Sequence, residues 1–206
     1  DFQGSRGLGD VYKRQTHELN EEIINNTDLV IEKLNTLNCS YTALPYPKNM
    51  NFLDINVLDK FIEDINIAGS IFSKANKVLC YHNHALEFQK INQEIILERI
   101  YNNTDNKYIQ GEPDIYWIQK GGHDPISWCK KLKNRLPLIH LKDFIMLNEH
   151  ESYYAEIGNG NLDIKNIIKE AELSGCKWYI VEQDECQGDP FISIEISFNN
   201  LLKFVT

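Results

Sequence analysis

The sequence predicts an α/β fold built from repeated βαβ units. Short apolar segments alternate along the chain with longer segments whose apolar residues recur at helical spacing. Several of the short segments end in a histidine or an acidic residue. Alternation of this kind is typical of a parallel sheet covered by helices. We predict five strands and six helices, beginning with a helix, and both a doubly wound sheet and a TIM barrel fit this pattern.

Composition and charge limit the classes of function. The 206 residues are 42% hydrophobic and 25% charged, which is ordinary for one globular domain. A net charge of −9 disfavours nucleic acid or an anionic membrane as the main partner. No apolar run approaches the roughly 18 residues of a membrane span, and no secretory signal precedes the first predicted helix. Five cysteines without a Cys-x-x-Cys pair argue against a disulfide framework and a cysteine zinc site, so we expect a cytoplasmic protein.

The first fifteen residues differ in character from the rest of the chain. Residues 1–15 contain three glycines and no lasting apolar period, and they stop where a helical pattern begins at Thr16. The glycines do not form a dinucleotide fingerprint because no strand precedes them. We interpret residues 1–15 as a non-native-looking or disordered tract and residues 16–206 as the folded part.

The predicted elements are located by periodicity and by turn residues. Pro45 and Pro47 end the first strand, and Gly175 is placed just after the C-terminus of a helix. The predicted strands cover residues 41–44, 78–84, 108–114, 136–143 and 178–181. The predicted helices cover residues 16–38, 54–75, 93–101, 125–132, 163–173 and 190–204.

Four of the five predicted strands carry a metal-ligand type of residue at or near their carboxyl ends. These residues are Glu87, Asp114, His140 and Glu182, and each interval between them is the length of one βα unit or of one unit with an insertion. The carboxyl ends of parallel strands lie on one face, so side chains at these positions converge. Two glutamates, one aspartate and one histidine suit Mn²⁺, Co²⁺, Fe²⁺ or Mg²⁺ better than structural zinc. A single residue of this kind is more often a solvated capping group, but four in phase predict a divalent-metal site.

Ordered motifs identify a family resemblance that covers residues 16–206. The segment YHNHALEF at 81–88 resembles the sugar phosphate isomerase/epimerase family, the xylose-isomerase-like TIM barrels. Further matching segments occur in the same order: DIYW at 114–117, GGHDP at 121–125, HLKD at 140–143, EIGNGNLD at 156–163 and WYIVEQD at 178–184.

This resemblance implies that the chain is the C-terminal part of a (β/α)8 barrel, with strands four to eight present and the first three missing. In the family the ligands come from strands five to eight, which match Glu87, Asp114, His140 and Glu182. One departure is Glu112-Pro113 before Asp114, where proline lacks the N–H needed for strand pairing.

The resemblance further implies a metal-dependent sugar or sugar phosphate isomerase or epimerase. Such an enzyme removes a proton next to a carbonyl through a metal-stabilised enediolate. Glu87 and Glu182 are the expected catalytic acid and base. Residues expected to bind substrate are His82, His84, Trp117 and Lys142, against the alternatives of core histidine, core aromatic and surface salt bridge.

The expected partner is a small-molecule sugar, and the chemistry calls for no organic cofactor. The resemblance leaves room for a homo-oligomer of the complete protein, and we expect the fragment alone to be inactive because five strands cannot close the barrel.

Other functions fit the same motifs. Inosose dehydratase, a lyase that acts on a keto-inositol, has a related barrel, and some similar proteins act on 3-keto-glycosides. A non-catalytic remnant would bind metal or sugar without turnover. Apurinic endonucleases share the barrel, but they need a trinuclear site and a basic face, which the acidic composition opposes.

Overall fold

A computed structural model describes residues 15–45, 47 and 50–204. The first fourteen residues of the predicted non-native tract lie outside the described residues. The chain divides into two compact units. The N-terminal unit ends at Glu112, and the C-terminal unit begins at Pro113.

The N-terminal unit is built on a parallel sheet whose strand order is β1-β2-β3-β6. A short 3-10 helix, Leu86–Phe88, follows the third strand, and an antiparallel pair, β4 and β5, follows that helix. The elements are β1 (Gln15–His17), α1 (Asn20–Asn25), α2 (Thr27–Thr36), β2 (Tyr41–Leu44), α3 (Ile55–Lys74), β3 (Val78–His82), β4 (Lys90–Ile91), β5 (Glu94–Ile95), α4 (Ile96–Asn102) and β6 (Ile109–Glu112).

Helix α3 covers this sheet because one of its faces is apolar. Its buried residues recur at helical spacing and pack against β3 and β6. At Gly69 the helix comes so close to β6 that an added Cβ would lie 2.6 Å from the Tyr108 carbonyl oxygen. The core side chains of this layer include Leu58, Phe61, Ile65, Phe72, Leu79 and Ile109.

The start of the N-terminal unit differs from the prediction. Residues 15–17 form strand β1, paired in parallel with β2, so the predicted helix start at Thr16 is wrong. Asn26 then separates α1 from α2, where one helix was expected. A three-residue strand carries too short a pattern to be recognised without its partner, because strand pairing is a long-range contact.

The C-terminal unit contains two pairs of strands. Strands β7 and β10 pair in parallel, β8 and β9 form an antiparallel hairpin, and α6 packs on α7. The elements are α5 (Ile115–Lys120), α6 (Pro125–Lys131), β7 (Leu138–Leu141), β8 (Asp143–Met146), β9 (Ser152–Ala155), α7 (Ile164–Leu173), β10 (Trp178–Val181) and α8 (Pro190–Leu201).

The proline before Asp114 does not prevent strand contact. Strand β6 ends at Glu112, yet the Pro113 carbonyl accepts a hydrogen bond from His140 N at 3.0 Å. Asp114 and His140 then form an isolated parallel bridge. Proline removes only the donor of its own residue, so its carbonyl still takes part in pairing.

The α/β class with parallel strands is confirmed, and all five predicted strands are present. The structure adds β1, helix α5 and the hairpins β4–β5 and β8–β9, and it shows β10 as half-buried where a buried strand was expected. Gly175 follows α7 with a φ of +100°, as predicted for a residue after a helix end. All five cysteines are thiols. None of the helices in the described part of the chain combines the length and apolar content needed to cross a membrane.

Candidate metal centre

Three of the predicted ligands meet in the C-terminal unit. Asp114 follows the end of β6, His140 lies within β7, and Glu182 follows β10. Each offers one ligand atom, and these atoms lie within 4.8 Å of one another. His140 Nδ1 and Glu182 Oε2 are 2.8 Å apart. Parallel pairing of β7 with β10 places His140 level with Ile180, so Glu182 lies two residues further along the neighbouring strand.

Asp114 is held by the helix that it begins. Its Oδ1 accepts hydrogen bonds from Tyr116 N at 2.9 Å and Trp117 N at 3.1 Å, so it is the N-cap of α5. Coordination of a metal would therefore use Oδ2. Burial raises the pKa of Asp114 to about 7, against the opposing effect of His140 and Lys142. A buried carboxylate of this kind is a group that a bound cation stabilises in its charged form.

Lys142 is enclosed beside this group. Its side chain is only 2% exposed, and its Nζ lies 2.7 Å from Asp184 Oδ2 and 3.8 Å from Glu182 Oε2. The rings of Tyr116, Trp117 and Tyr154 have centroids 5.0 to 5.6 Å from the same Nζ. The ammonium is thus ion-paired and surrounded by aromatic rings, which differs from the alternative of a surface salt bridge.

The other predicted site residues lie in the N-terminal unit. His82 ends β3, and His84 lies beyond the strand with its ring centroid 5.1 Å from that of His82. Glu87 is fully buried in the 3-10 helix, where its carboxylate accepts hydrogen bonds from Tyr81 Oη and His84 N, each at 3.1 Å. Burial raises the pKa of Glu87 to about 7 despite these hydrogen bonds.

The structure thus brings Asp114, His140, Lys142 and Glu182 together within one unit. Trp117 is half-buried in that unit and lies against Lys142, whereas Glu87, His82 and His84 belong to the N-terminal unit.

Three polar residues near strand ends are not among the predicted site residues. His17 falls within the segment that was predicted to be a helix from Thr16. Glu112 departs from the family pattern, and no role was predicted for Asp184, which lies in the motif at 178–184. His17 and Glu112 end β1 and β6, so their position at a strand end is the signal that could have found them.

The chain resembles known proteins in sequence and in structure, although no family model matches it. The inosose dehydratase of Geobacillus thermodenitrificans is 25% identical over 150 residues, which are 65% of this chain and 50% of that protein. A second inosose dehydratase, from Clostridium tetani, is 26% identical over 47% of its length. The chain therefore spans about half the length of the curated relatives it matches.

Solved structures match a larger part of this chain than the two sequence relatives do. A sugar phosphate isomerase/epimerase from Parabacteroides distasonis is 27% identical with a TM-score of 0.75, over 94% of this chain and 72% of that one. The IOLI protein, solved with a bound zinc atom, shares the fold with a TM-score of 0.69 at 13% identity, over 93% of this chain and 74% of that one. The chain therefore has an α/β fold that matches the xylose-isomerase-like TIM barrels, and it resembles the sugar phosphate isomerase/epimerases.

Proposed function

We propose that this chain carries most of the metal centre of a divalent-metal-dependent sugar, or sugar phosphate, isomerase or epimerase. The observation that supports this most is the convergence of Asp114, His140 and Glu182 at strand ends. Carboxylate and imidazole donors at the carboxyl ends of parallel strands are the ligand types that such chemistry needs.

The metal would be held by Asp114, His140 and Glu182, with Glu87 as the fourth ligand that the family resemblance implies. This set suits Mn²⁺, Co²⁺, Fe²⁺ or Mg²⁺, and a fold relative that was solved with a bound zinc atom is consistent with a divalent ion. When bound, the ion supplies a Lewis acid beside the carbonyl whose neighbouring carbon loses a proton.

Proton transfer is assigned to the two glutamates. Glu182 has a partly exposed side chain, and its Oε2 lies 2.8 Å from His140 Nδ1 and 3.8 Å from Lys142 Nζ. A carboxylate in this position is proposed as the base. Burial raises the pKa of Glu87 to about 7 when no metal is bound, and a bound cation would favour its ionised form, so a base role suits Glu87 better than an acid role.

The proposed substrate contacts are made by His82, His84, Trp117 and Lys142. The aromatic side chain and the donor groups suit a polyhydroxylated ring such as a small-molecule sugar. Lys142 is already paired with Asp184. It would therefore contact substrate only through ammonium N–H groups that do not bind Asp184.

A dehydratase is the second candidate, and the names of the two curated relatives favour it. The first step is the same, since removal of a proton next to a ketone precedes the loss of a hydroxyl group. Product analysis separates the two functions: loss of water or of an aglycone gives an unsaturated or deoxy product, whereas isomerisation conserves the formula. A keto-inositol and a 3-keto-glycoside are the substrates to compare with simple ketoses.

The test is Glu182→Gln in the protein that carries this chain, with Glu185→Gln as the matched control. Glu185 is exposed and lies three residues away. We expect the Glu182→Gln variant to lose uptake of solvent deuterium into a ketose, measured by NMR, while the control keeps it. Retained exchange in the Glu182→Gln variant would exclude Glu182 as the base. Binding of sugar or metal without exchange or turnover in the unmodified protein would favour a non-catalytic remnant.

A further inference from the structure

A cavity of about 510 Å³ lies in the C-terminal unit, between helix α5 and the β8–β9 hairpin. Tyr116 and Lys120 line it from α5, and Phe144, Met146 and Ser152 line it from the hairpin. Among the described residues, its lining includes none of the candidate metal ligands. A cavity of this size can hold a small organic ligand.

The register of the hairpin connects the cavity with the enclosure of Lys142. Phe144 is level with Tyr154, and Met146 is level with Ser152. Level residues on neighbouring strands point to the same side, as do alternate residues on one strand, so these four side chains share one face. At one end of this face the ring centroid of Tyr154 is 5.0 Å from Lys142 Nζ. At the other end Met146 and Ser152 line the cavity.

Tyr116 takes part in both places. It lines the cavity, and its ring centroid is 5.6 Å from Lys142 Nζ. Lys142 Nζ in turn lies 3.8 Å from Glu182 Oε2. A ligand in the cavity would therefore lie beside the candidate metal centre.

The charged side chains that line the cavity are basic. They are Lys120 and His150, and no aspartate or glutamate is found in the lining among the described residues. This lining contrasts with the net charge of −9. Glu151, which follows His150 in the chain, accepts a hydrogen bond from Asn148 Nδ2 at 2.8 Å and does not belong to the lining.

Lys120 is held at the wall of the cavity by neutral groups. Its Nζ donates to Tyr116 Oη at 2.9 Å and lies 5.2 Å and 5.5 Å from the ring centroids of Tyr116 and Trp117. Its partner is thus a hydroxyl, whereas Lys142 Nζ pairs with the carboxylate of Asp184. An ammonium has three N–H donors, so Lys120 can also bind an anionic ligand.

Neutral donors complete the lining. Asn161 Oδ1 accepts a hydrogen bond from Met146 N at 3.1 Å, so its Nδ2 is the end of the amide that can donate to a ligand. Gln119 adds a second amide, and Ser152 adds a hydroxyl. Together with an ammonium and an imidazole, these donors suit the oxygen atoms of an anion.

We propose that this cavity binds an anionic group of the substrate, either a phosphate monoester or a carboxylate. The inference rests on the proposed function, because it places this group beside the metal centre that would act on the carbonyl. Lys120 and Asn161 would bind the anionic oxygens, while Phe144 and Met146 would contact the carbon chain. The substrate would then be a sugar phosphate or a sugar acid rather than a neutral sugar.

The experiment measures binding to the metal-free protein, so it does not depend on turnover. The protein that carries this chain is titrated in EDTA with three ketoses, and the heat of binding is measured by calorimetry. Fructose, fructose 6-phosphate and fructuronate differ only at the end remote from the carbonyl, which is neutral, phosphorylated or a carboxylate.

Three variants are compared with the unmodified protein. Lys120→Gln removes the charge from the cavity wall. Asn161→Asp keeps the oxygen that accepts Met146 N but adds a negative charge to the lining. Lys165→Gln is the matched control, since Lys165 is exposed on α7 and does not line the cavity.

We expect an anionic ketose to bind more tightly than fructose in the unmodified protein and in the Lys165→Gln control. Lys120→Gln should weaken this binding by about 10- to 100-fold, as expected for the loss of one charge-assisted hydrogen bond. Asn161→Asp should weaken it at least as much, because two anionic groups would then meet. The anionic ketose that binds more tightly identifies the group as phosphate or carboxylate.

If neither anionic ketose binds more tightly than fructose, the inference is wrong. Equal affinities of Lys120→Gln and Lys165→Gln for the anionic ketose would also overturn it. Circular dichroism checks the fold of each variant, and Asn161→Asp supplies an independent test should Lys120→Gln unfold.

A separate measurement tests the proposed function. With Mn²⁺ added, uptake of solvent deuterium into the bound ketose is followed by NMR. Binding that depends on Lys120 without deuterium uptake would support the anion site and contradict the proposed function. Deuterium uptake with no preference for an anionic ketose would support the proposed function and contradict this inference.

Discussion

The two units differ in how their helices begin, and the difference bears on the site. In the C-terminal unit each of the four described α-helices starts at an aspartate whose side chain accepts a backbone N–H. In the N-terminal unit only α3 does so among the four α-helices described there, through Asp54. The aspartates of the C-terminal unit are Asp114, Asp124, Asp163 and Asp189.

One of these caps is also a candidate ligand. Asp114 uses one oxygen to begin α5, so its position is fixed by the helix and not only by the site. In the N-terminal unit the buried acid Glu87 is held instead by a tyrosine hydroxyl and one backbone N–H. A ligand that doubles as a cap is placed by local chain geometry, whereas Glu87 depends on packing around it.

The strongest effect that we expect separates the cap role of Asp114 from its ligand role. Asp114→Asn keeps an oxygen that can cap α5 but removes the charge, so metal affinity should fall by more than the roughly 10- to 100-fold that loss of a supporting group costs. Asp124→Asn makes the same change at the N-cap of α6, which is not part of the candidate metal centre, and it should leave the metal affinity unchanged. Calorimetric titration with Mn²⁺ measures both. Equal affinities in the two variants would remove Asp114 from the ligand set.

The next effect is a pH dependence that both units share. Burial raises the pKa of Asp114 from 3.8 and of Glu87 from 4.5, each to about 7. Between about pH 4 and 7 the folded chain keeps protons that the unfolded chain has released. The contribution of these two groups to the stability of the metal-free chain should therefore be full below about pH 4 and should be lost, on the order of a few kcal/mol, as the pH rises to about 7.

Urea unfolding in EDTA across this pH range tests the expectation. Asp114→Asn and Glu87→Gln should each flatten part of the slope, and added Mn²⁺ should reverse it because the ion binds the ionised carboxylates. A pH dependence that neither variant changes would contradict the raised pKa values of Asp114 and Glu87.

A smaller effect concerns the close packing of the N-terminal unit. In Gly69→Ala the new Cβ would meet the Tyr108 carbonyl oxygen and Ile109 Cδ1 within 2.8 Å, so α3 must move away from β6. We expect the free energy of unfolding to fall by about 1–3 kcal/mol. Gly188→Ala, in the C-terminal unit, places its Cβ with nothing within 4 Å and should change stability little. Equal denaturant midpoints for Gly69→Ala and the unmodified chain would show that α3 can move away from β6 without a loss of stability.

The weakest effect compares the caps of the two units. Asp124 accepts hydrogen bonds from Ile126 N, Ser127 N and Ser127 Oγ, whereas Asp54 accepts from Asn56 N at 3.0 Å and from Val57 N at 3.4 Å. Asp124→Ala should therefore destabilise its unit by about 1 kcal/mol, and Asp54→Ala should cost less. Amide hydrogen exchange of α6 and α3 resolves the two, and a larger loss at α3 would reverse the comparison.

Local patterns in the sequence were enough to predict the alternation of strands and helices and the strand-end positions of Asp114, His140 and Glu182. Periodicity and residue type are local properties, so β2, α3, β3 and α7 could be predicted closely. The hairpin β8–β9 could not, because its strands are recognisable only by their mutual pairing. Asp143, which opens β8, fixes the loop after β9 by accepting N–H groups from Gly158, Gly160 and Leu162.

Which polar side chains meet depends on the tertiary structure. The aromatic enclosure of Lys142 requires rings from α5 and β9, and the contact of His17 with Glu112 requires the register and curvature of three strand steps. These contacts join residues far apart in the chain, and their distances change by many ångströms with a shift of one residue in register. Residue type names the candidates for a site, and sheet geometry selects among them.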